Sequence, residues 1–114
     1  MRVLITGFEP FGDEAKNPAR EAVKRLPDTI SGASIVKLLV PTAFGACGAI
    51  LYEALERHAP DAVVGVGQAG GRCDLSVERV AINVADGRIP DNEGRLPVDE
   101  PIQPDGPAAY FSRL

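Results

Sequence analysis

A carboxylate set in an apolar run is the residue of this chain best placed to do chemistry. Glu78 stands among Leu75, Val77, Val80 and Ile82, in a stretch that reads as a strand over 75–84. A charge there is costly to bury unless it is paired or used. In a cleft, such a carboxylate can orient a histidine and stabilise its protonated form, the third-member role in a nucleophilic triad. The alternative is an exposed position on an edge strand, facing water or paired with Arg72 or Arg79. The residues alone leave both readings open.

A triad also needs a nucleophile and a base. The chain has two cysteines, Cys47 and Cys73, and one histidine, His58. Cys47 and His58 fall on one predicted helix face, but their eleven-residue separation puts roughly 16 Å of helix rise between them. His58 precedes the third predicted strand and Cys73 follows it. A strand of about six residues is roughly 20 Å long, so these two are expected at opposite sheet edges. Cys47 therefore reads as core, and His58 as a helix C-terminal residue favoured there by the dipole. No Cys–His pair is expected within one copy of the chain.

Other residues have the chemistry of a small-ligand site. Gln68 offers both a donor and an acceptor to a cyclic amide or similar group, or is a self-satisfied turn residue. Phe8 and Phe11 are two of only four phenylalanines, held in a loop with Pro10 between them. They either line a small apolar pocket or cover the sheet end as loop packing. Gly65-Val-Gly67-Gln-Ala-Gly70 matches the dinucleotide fingerprint, which requires a helix to open at the glycines. The following residues, 72–84, are β-rich with a poor helical period. The glycines read instead as a loop backbone lying close to a small polar ligand.

The elements that must hold these residues follow from pattern. Val3–Thr6 reads as a short buried parallel strand. Asn17-Pro18 starts a helix, with Asn as N-cap and Pro at the first helical position, and Pro27-Asp28 ends it. Residues 34–40 form a second strand. Thr42 is expected to cap a longer helix reaching about His58, where Pro60 stops it. Phe44, Cys47, Leu51, Leu55 and His58 would define its apolar face. Residues 61–66 form a third strand and 75–84 a fourth. Residues 85–107 form an extended loop region, and a helix is expected to begin at Ala108 and run to Leu114. The order β-α-β-α-β predicts a parallel sheet with helices on its faces and ligands beyond the carboxyl ends of its strands.

The chain is 114 residues, 45% hydrophobic and 25% charged, which bounds it to one ordinary globular domain. Its net charge of −4, with both signs interspersed, argues against nucleic acid as a partner. No apolar run approaches the roughly 20 residues that cross a bilayer. Val3–Thr6 is too short for a signal-peptide core, so the expected location is the cytoplasm. The cysteine spacing suggests neither a disulfide framework nor a zinc site.

Four motifs together carry a resemblance. Thr6-Gly-Phe-Glu-Pro-Phe-Gly12 with Asn17-Pro18, Gln68-Ala-Gly-Gly-Arg72, Glu78-Arg-Val-Ala-Ile-Asn83 and Arg88-Ile-Pro-Asp-Asn-Glu-Gly94 resemble, in order, the pyroglutamyl peptidase I family of cysteine peptidases. The resemblance implies a three-layer α/β/α fold around a mostly parallel sheet, here cut short, with residues 1–114 as the N-terminal part of a single domain. It implies removal of N-terminal pyroglutamate (5-oxoproline) from peptides by a Cys–His–Glu triad. No metal or organic cofactor, nucleic acid or membrane is implied, and the partners are pyroglutamyl peptides and further copies of the chain, commonly a homotetramer. Glu78 matches the triad glutamate. Phe8 and Phe11 resemble the aromatics enclosing the pyrrolidone ring, Gln68 a residue at the ligand amide, and Arg88 one near the cleft. Asn17 joins them as a substrate-binding candidate. The family's nucleophile lies in a later segment resembling Ser-Asn-x-Ala-Gly-x-Tyr-x-Cys-Asn and its histidine later still, so these 114 residues alone are expected to be inactive, and marginal, self-associating or partly rearranged. The rival readings are a non-catalytic relative that keeps a pyroglutamyl pocket or only self-associates, and, more remotely, a nucleotide-binding module.

Overall fold

The run Val3-Leu-Ile-Thr6 is apolar on both sides of the strand period, so it must be covered on both faces. In the computed structural model, which describes residues 1–113, it forms the middle of β1 (Arg2–Phe8), and Leu4 through Gly7 are buried. Strand β3 (Ala33–Val40) pairs parallel to one side of β1, and β4 (Ala62–Gly65) parallel to the other. A short β2 (Thr29–Ile30) pairs antiparallel to β3, giving the order β2-β3-β1-β4. This β2–β3 hairpin lies outside the sequence expectation. Its two turn residues, Ser31 and Gly32, have φ of 48° and 83°, as the tight primed turns of hairpins require.

Helix α1 (Pro18–Arg25) connects β1 to the β2–β3 hairpin, and α2 (Ala46–His58) connects β3 to β4. Because β3 and β4 flank β1, the two crossovers run in opposite directions. Right-handed connections then put the helices on opposite faces of the sheet, the three-layer α/β/α arrangement. α1 begins as its sequence indicates, with Pro18 in the first turn and the Asn17 side chain accepting from the Ala19 amide at 2.9 Å. It sits hard against the sheet at Gly7, where a Cβ would lie 3.1 Å from both the Ala19 carbonyl oxygen and Val23 Cγ2.

Three expectations are corrected. α2 starts at Ala46, not after Thr42, with Gly45 as its uncapped first position. The Thr42 hydroxyl instead donates to the Glu9 carbonyl at 2.7 Å. The anticipated apolar face of α2 is only partly covered: Ala54 is buried, whereas Cys47, Leu51, Leu55 and His58 are half-buried and Phe44 precedes the helix. Cys47, expected in the core, is thus only half-buried.

The second correction concerns residues 75–84. Only β5 (Val80–Ile82) is a strand, and 75–79 runs exposed and without a ladder. The third concerns the C-terminal helix. Residues Ala109–Phe111 form β6, antiparallel to β5 with Val80 opposite Phe111. Tyr110 and Phe111 are strand formers. The pairing is extended by Ser112 N–H donating to the Arg79 carbonyl at 2.7 Å and Asn83 N–H to the Ala108 carbonyl at 2.8 Å. Leu114, the last residue of that expected helix, lies outside the described residues.

The buried apolar core is Leu4, Ile5, Ala19, Val23, Val40, Ala43 and Ala54, all at or between β1, α1, β3 and α2. Beyond these and the buried Thr6, Gly7, Asn17 and Pro97, the described chain is half-buried or exposed. It exposes 8442 Å², where a compact monomer of its mass exposes about 6,000 Å². The radius of gyration is 14.6 Å, against about 13 Å for a compact domain of this length.

Candidate functional site

Parallel α/β sheets bind ligands at the carboxyl ends of strands where the winding reverses. Here that point lies between β1 and β4, so the loops after Phe8 and after Gly65 flank it. The first loop is firmly pinned. Glu9 N–H donates to the Val40 carbonyl at 3.0 Å. The Glu9 carbonyl accepts from Thr42 Oγ1 at 2.7 Å and from Asn17 Nδ2 at 3.3 Å. Asn17 is only 1% exposed and engages both ends of its amide within the chain. Phe8 closes β1, Phe11 sits in the loop, and both are half-buried.

A second strap reaches this loop from residues 88–95. Asn92 donates its side-chain amide to the Pro10 carbonyl at 2.9 Å and its backbone N–H to the Thr42 carbonyl at 3.0 Å. Asp91 accepts from the Phe44 amide at 2.7 Å on one carboxylate oxygen, and from the Glu93 and Arg95 amides at 2.9 and 2.8 Å on the other. Partial burial of the Asp91 carboxyl raises its pKa. The amides of Phe44, Arg95 and Glu93 and the Arg95 guanidinium together outweigh that, leaving it below its ordinary value. Asp91 and Asn92 were not singled out by sequence chemistry. The signal was present, since Pro-Asp-Asn is a turn former whose Asx side chain bonds the backbone two residues on. Arg88, at the start of the strap, is exposed.

The second loop forms one side of an open cleft of 850 Å³ with β4 at its base; Gln68, Arg72, Glu78 and Phe111 are among its lining. Glu78 is therefore in a cleft and is also ion-paired. Its Oε1 lies 3.1 Å from Arg72 Nη1, with side-chain exposures of 76% and 58%, and Arg72 also donates to Ser76 Oγ at 3.2 Å. The one arginine contact leaves carboxylate lone pairs of Glu78 open to a further hydrogen-bond donor, which would displace water there. Cys73 lines the same cleft, whereas His58 lines a separate groove with Leu38, Ile50 and Glu53. No helix follows β4 over residues 66–79, so the glycine run lacks the helix N-terminus that a pyrophosphate needs. The fold thus brings Gln68 and Glu78 into one cleft and holds Phe8, Phe11 and Asn17 at the neighbouring end of β1.

Comparison with known proteins gives one consistent result. The family model described as pyroglutamyl peptidase matches residues 1–114. The pyrrolidone-carboxylate peptidase of Levilactobacillus brevis is 60% identical over the whole chain, which covers 56% of that relative. The protein of the same name from Enterococcus faecalis is 58% identical, with 54% of it covered. Among solved structures, pyroglutamyl peptidase I from Bacillus amyloliquefaciens superposes with a TM-score of 0.93 at 54% identity, over 97% of this chain and 53% of that one. A mutant pyrrolidone carboxyl peptidase from the hyperthermophile Pyrococcus furiosus gives 0.94 at 47% identity, over 98% of this chain and 54% of that one. The chain spans about half the length of the curated relatives it matches.

Proposed function

The chain belongs to the pyroglutamyl peptidase family, and from that premise we propose that it supplies the pyroglutamate-recognising part of a peptidase that removes N-terminal 5-oxoproline from peptides. The observation that carries the proposal is the meeting of Gln68 and Glu78 in one cleft at the reversal point of the sheet. Phe8 and Phe11 enclose the apolar methylenes of the lactam ring from the pinned loop. Gln68 donates to, and accepts from, the lactam amide. Arg88, exposed at the start of the strap, is assigned to the substrate side by the family resemblance, and Asn17 acts through the Glu9 carbonyl by fixing the loop that carries the aromatics.

In the complete enzyme a cysteine thiolate, contributed by sequence outside these 114 residues, attacks the carbonyl carbon that joins pyroglutamate to the next residue. A histidine takes the thiol proton and returns it to the leaving amine, and water then releases the acyl group from sulfur. Glu78 orients that histidine and stabilises its charged form. The same reading makes the whole enzyme a cytoplasmic thiol peptidase that assembles as a homotetramer. A second reading, lactam binding without turnover, is favoured by one observation: Cys73 and His58 open into separate depressions.

Titration of the chain with 5-oxoproline, followed by amide and side-chain NMR, tests the recognition step. Saturable shifts are expected at Gln68, Phe8 and Phe11, and their loss in Gln68→Ala. A folded chain that shows no shift at any of these residues refutes the assignment. Turnover of a pyroglutamyl peptide by this chain alone would remove the need for an outside thiol.

A further inference from the structure

The two phenylalanines of the candidate site are held from different sides. Phe8 ends β1 opposite Val40. The next residue, Glu9, donates its N–H to the Val40 carbonyl and accepts from Thr42 and Asn17 on its own carbonyl. Phe11 lies beyond Pro10, which has no N–H to give, and before Gly12, whose φ of 60° turns the chain back. The Pro10 carbonyl is therefore that residue's one backbone group able to hydrogen-bond. It accepts from Asn92 Nδ2 at 2.9 Å, across 82 residues of sequence.

Asn92 makes that contact from a fixed position. Its own N–H donates to the Thr42 carbonyl at 3.0 Å, and the Thr42 hydroxyl donates to the Glu9 carbonyl at 2.7 Å. With the Glu9–Pro10 peptide bond, these contacts close a ring through Glu9, Pro10, Asn92 and Thr42. The turn that carries Asn92 is braced separately. Asp91 N–H donates to the Arg95 carbonyl at 2.8 Å, Gly94 N–H donates to the Asp91 carbonyl at 3.0 Å, and Arg95 Nη2 lies 2.9 Å from Glu100 Oε2. A donor held this way is preorganised, so little ordering cost is left when it engages the loop.

We infer that Asn92 determines ring specificity as a positioning residue, acting through the Pro10 carbonyl. It fixes Phe11 relative to Phe8 and so sets the width of the gap offered to a lactam ring. An apolar pocket discriminates one methylene by about 10–200-fold, and it does so only when its walls cannot part to admit the larger ring. With Phe11 fixed, the gap favours the five-membered ring of 5-oxoproline over its six-membered homologue, 6-oxopiperidine-2-carboxylate. The ring preference rests on the pyroglutamate reading of this site, whereas the ordering of Phe11 by Asn92 does not.

The test uses the 114-residue chain and two variants that keep the backbone contact of residue 92 with Thr42. These are Asn92→Ala and the isosteric Asn92→Asp, whose side chain has no donor at neutral pH. Without ligand, NMR relaxation is expected to show the Phe11 and Gly12 amides loosened in both variants, with Glu9 and Phe44 unchanged. In titrations, the parent is expected to prefer 5-oxoproline over the homologue by about tenfold or more. Both variants are expected to lose about fivefold in affinity for 5-oxoproline and to fall to a preference of about twofold. Unchanged order at Phe11, or loosening that spreads to Glu9 and Phe44, overturns the positioning role. A ring preference that survives both substitutions overturns the specificity role. A parent that binds neither lactam refutes the pyroglutamate reading and with it the ring preference, while the relaxation of Phe11 decides the positioning role by itself.

Discussion

Asn17 is the residue on which the order of the aromatic loop depends, and its removal has a calculable cost. Its Oδ1 accepts from the Ala19 amide at 2.9 Å as the N-cap of α1, and its Nδ2 donates to the Glu9 carbonyl at 3.3 Å. Loss of an N-cap costs about 1 kcal/mol, and loss of a further hydrogen bond about 1 kcal/mol. Asn17→Ala is therefore expected to destabilise the chain by about 2 kcal/mol, which at roughly 4 °C per kcal/mol lowers Tm by roughly 8 °C. Asn17→Ser keeps a cap oxygen and loses only the contact with Glu9, for about half that loss. Asn17→Asp keeps the cap but turns a carboxylate toward a carbonyl oxygen at a site 1% exposed. It is expected to be worse than Ser at neutral pH and to recover on acidification. Thermal unfolding followed by circular dichroism reads all three. Ala and Ser variants that unfold within about 0.5 kcal/mol of each other would refute a capping role. A Ser variant that unfolds like the parent yet loses 5-oxoproline binding would make Asn17 a direct ligand contact.

Other substitutions separate packing from chemistry. Gly7→Ala places a Cβ 3.1 Å from backbone of α1, so the helix must shift, at a cost of about 1–3 kcal/mol in denaturant unfolding; a neutral result would mean that α1 packs more loosely than its contacts indicate. Glu78→Gln removes an exposed ion pair worth about 0–1 kcal/mol. Stability is expected to hold within about 0.5 kcal/mol while peptidase activity measured in the complete enzyme is abolished; a large stability loss would make Glu78 structural. The Asp91 carboxyl is held below its ordinary value near 3.8. A depressed carboxylate contributes stability above its unfolded pKa and loses it as pH falls through the folded one. The strap is therefore expected to release from Phe44 only below about pH 4, read as NMR shifts at the Phe44 and Asn92 amides. Asp91→Asn should remove that pH dependence, and an unchanged acid transition in this variant would exclude Asp91 as its source.

The parts of the fold legible in sequence are those fixed by local pattern. Val3–Ile5 is a continuous apolar run, 34–40 is a mostly apolar, β-branched one interrupted only by Lys37 after Ser34, and Asn17-Pro18 has its cap and first-turn proline side by side. The boundaries that failed depend on partners far away in the chain. Thr42 looks like a cap by spacing, yet its hydroxyl goes to Glu9, thirty-three residues earlier, and the Phe44 amide is served by Asp91 instead. Tyr110 and Phe111 form a strand only because β5 offers an edge. The candidate site shows the same division. Glu78 and Gln68 stand out by chemistry and by motif, whereas Pro90-Asp91-Asn92 signals a turn in sequence but not the distant partners, Phe44, Thr42 and Pro10, that it ties together.

These differences define two zones with different stability. The β1 end, with Phe8, Phe11 and Asn17, is cross-linked by hydrogen bonds from α1, the 41–45 turn and the 91–95 strap, and sits on the buried core of Leu4 and Val23. The 66–79 segment, with Gln68 and Glu78, has no ladder of its own and is held among the described residues mainly by the Arg72 contacts. Local opening free energy follows buried contacts and protected hydrogen bonds. Hydrogen exchange is therefore expected to be slow in β1 and fast across 66–79. Phe8 and Phe11 therefore stand on the preformed side of the candidate site, and Gln68 and Glu78 on the side that is more easily opened.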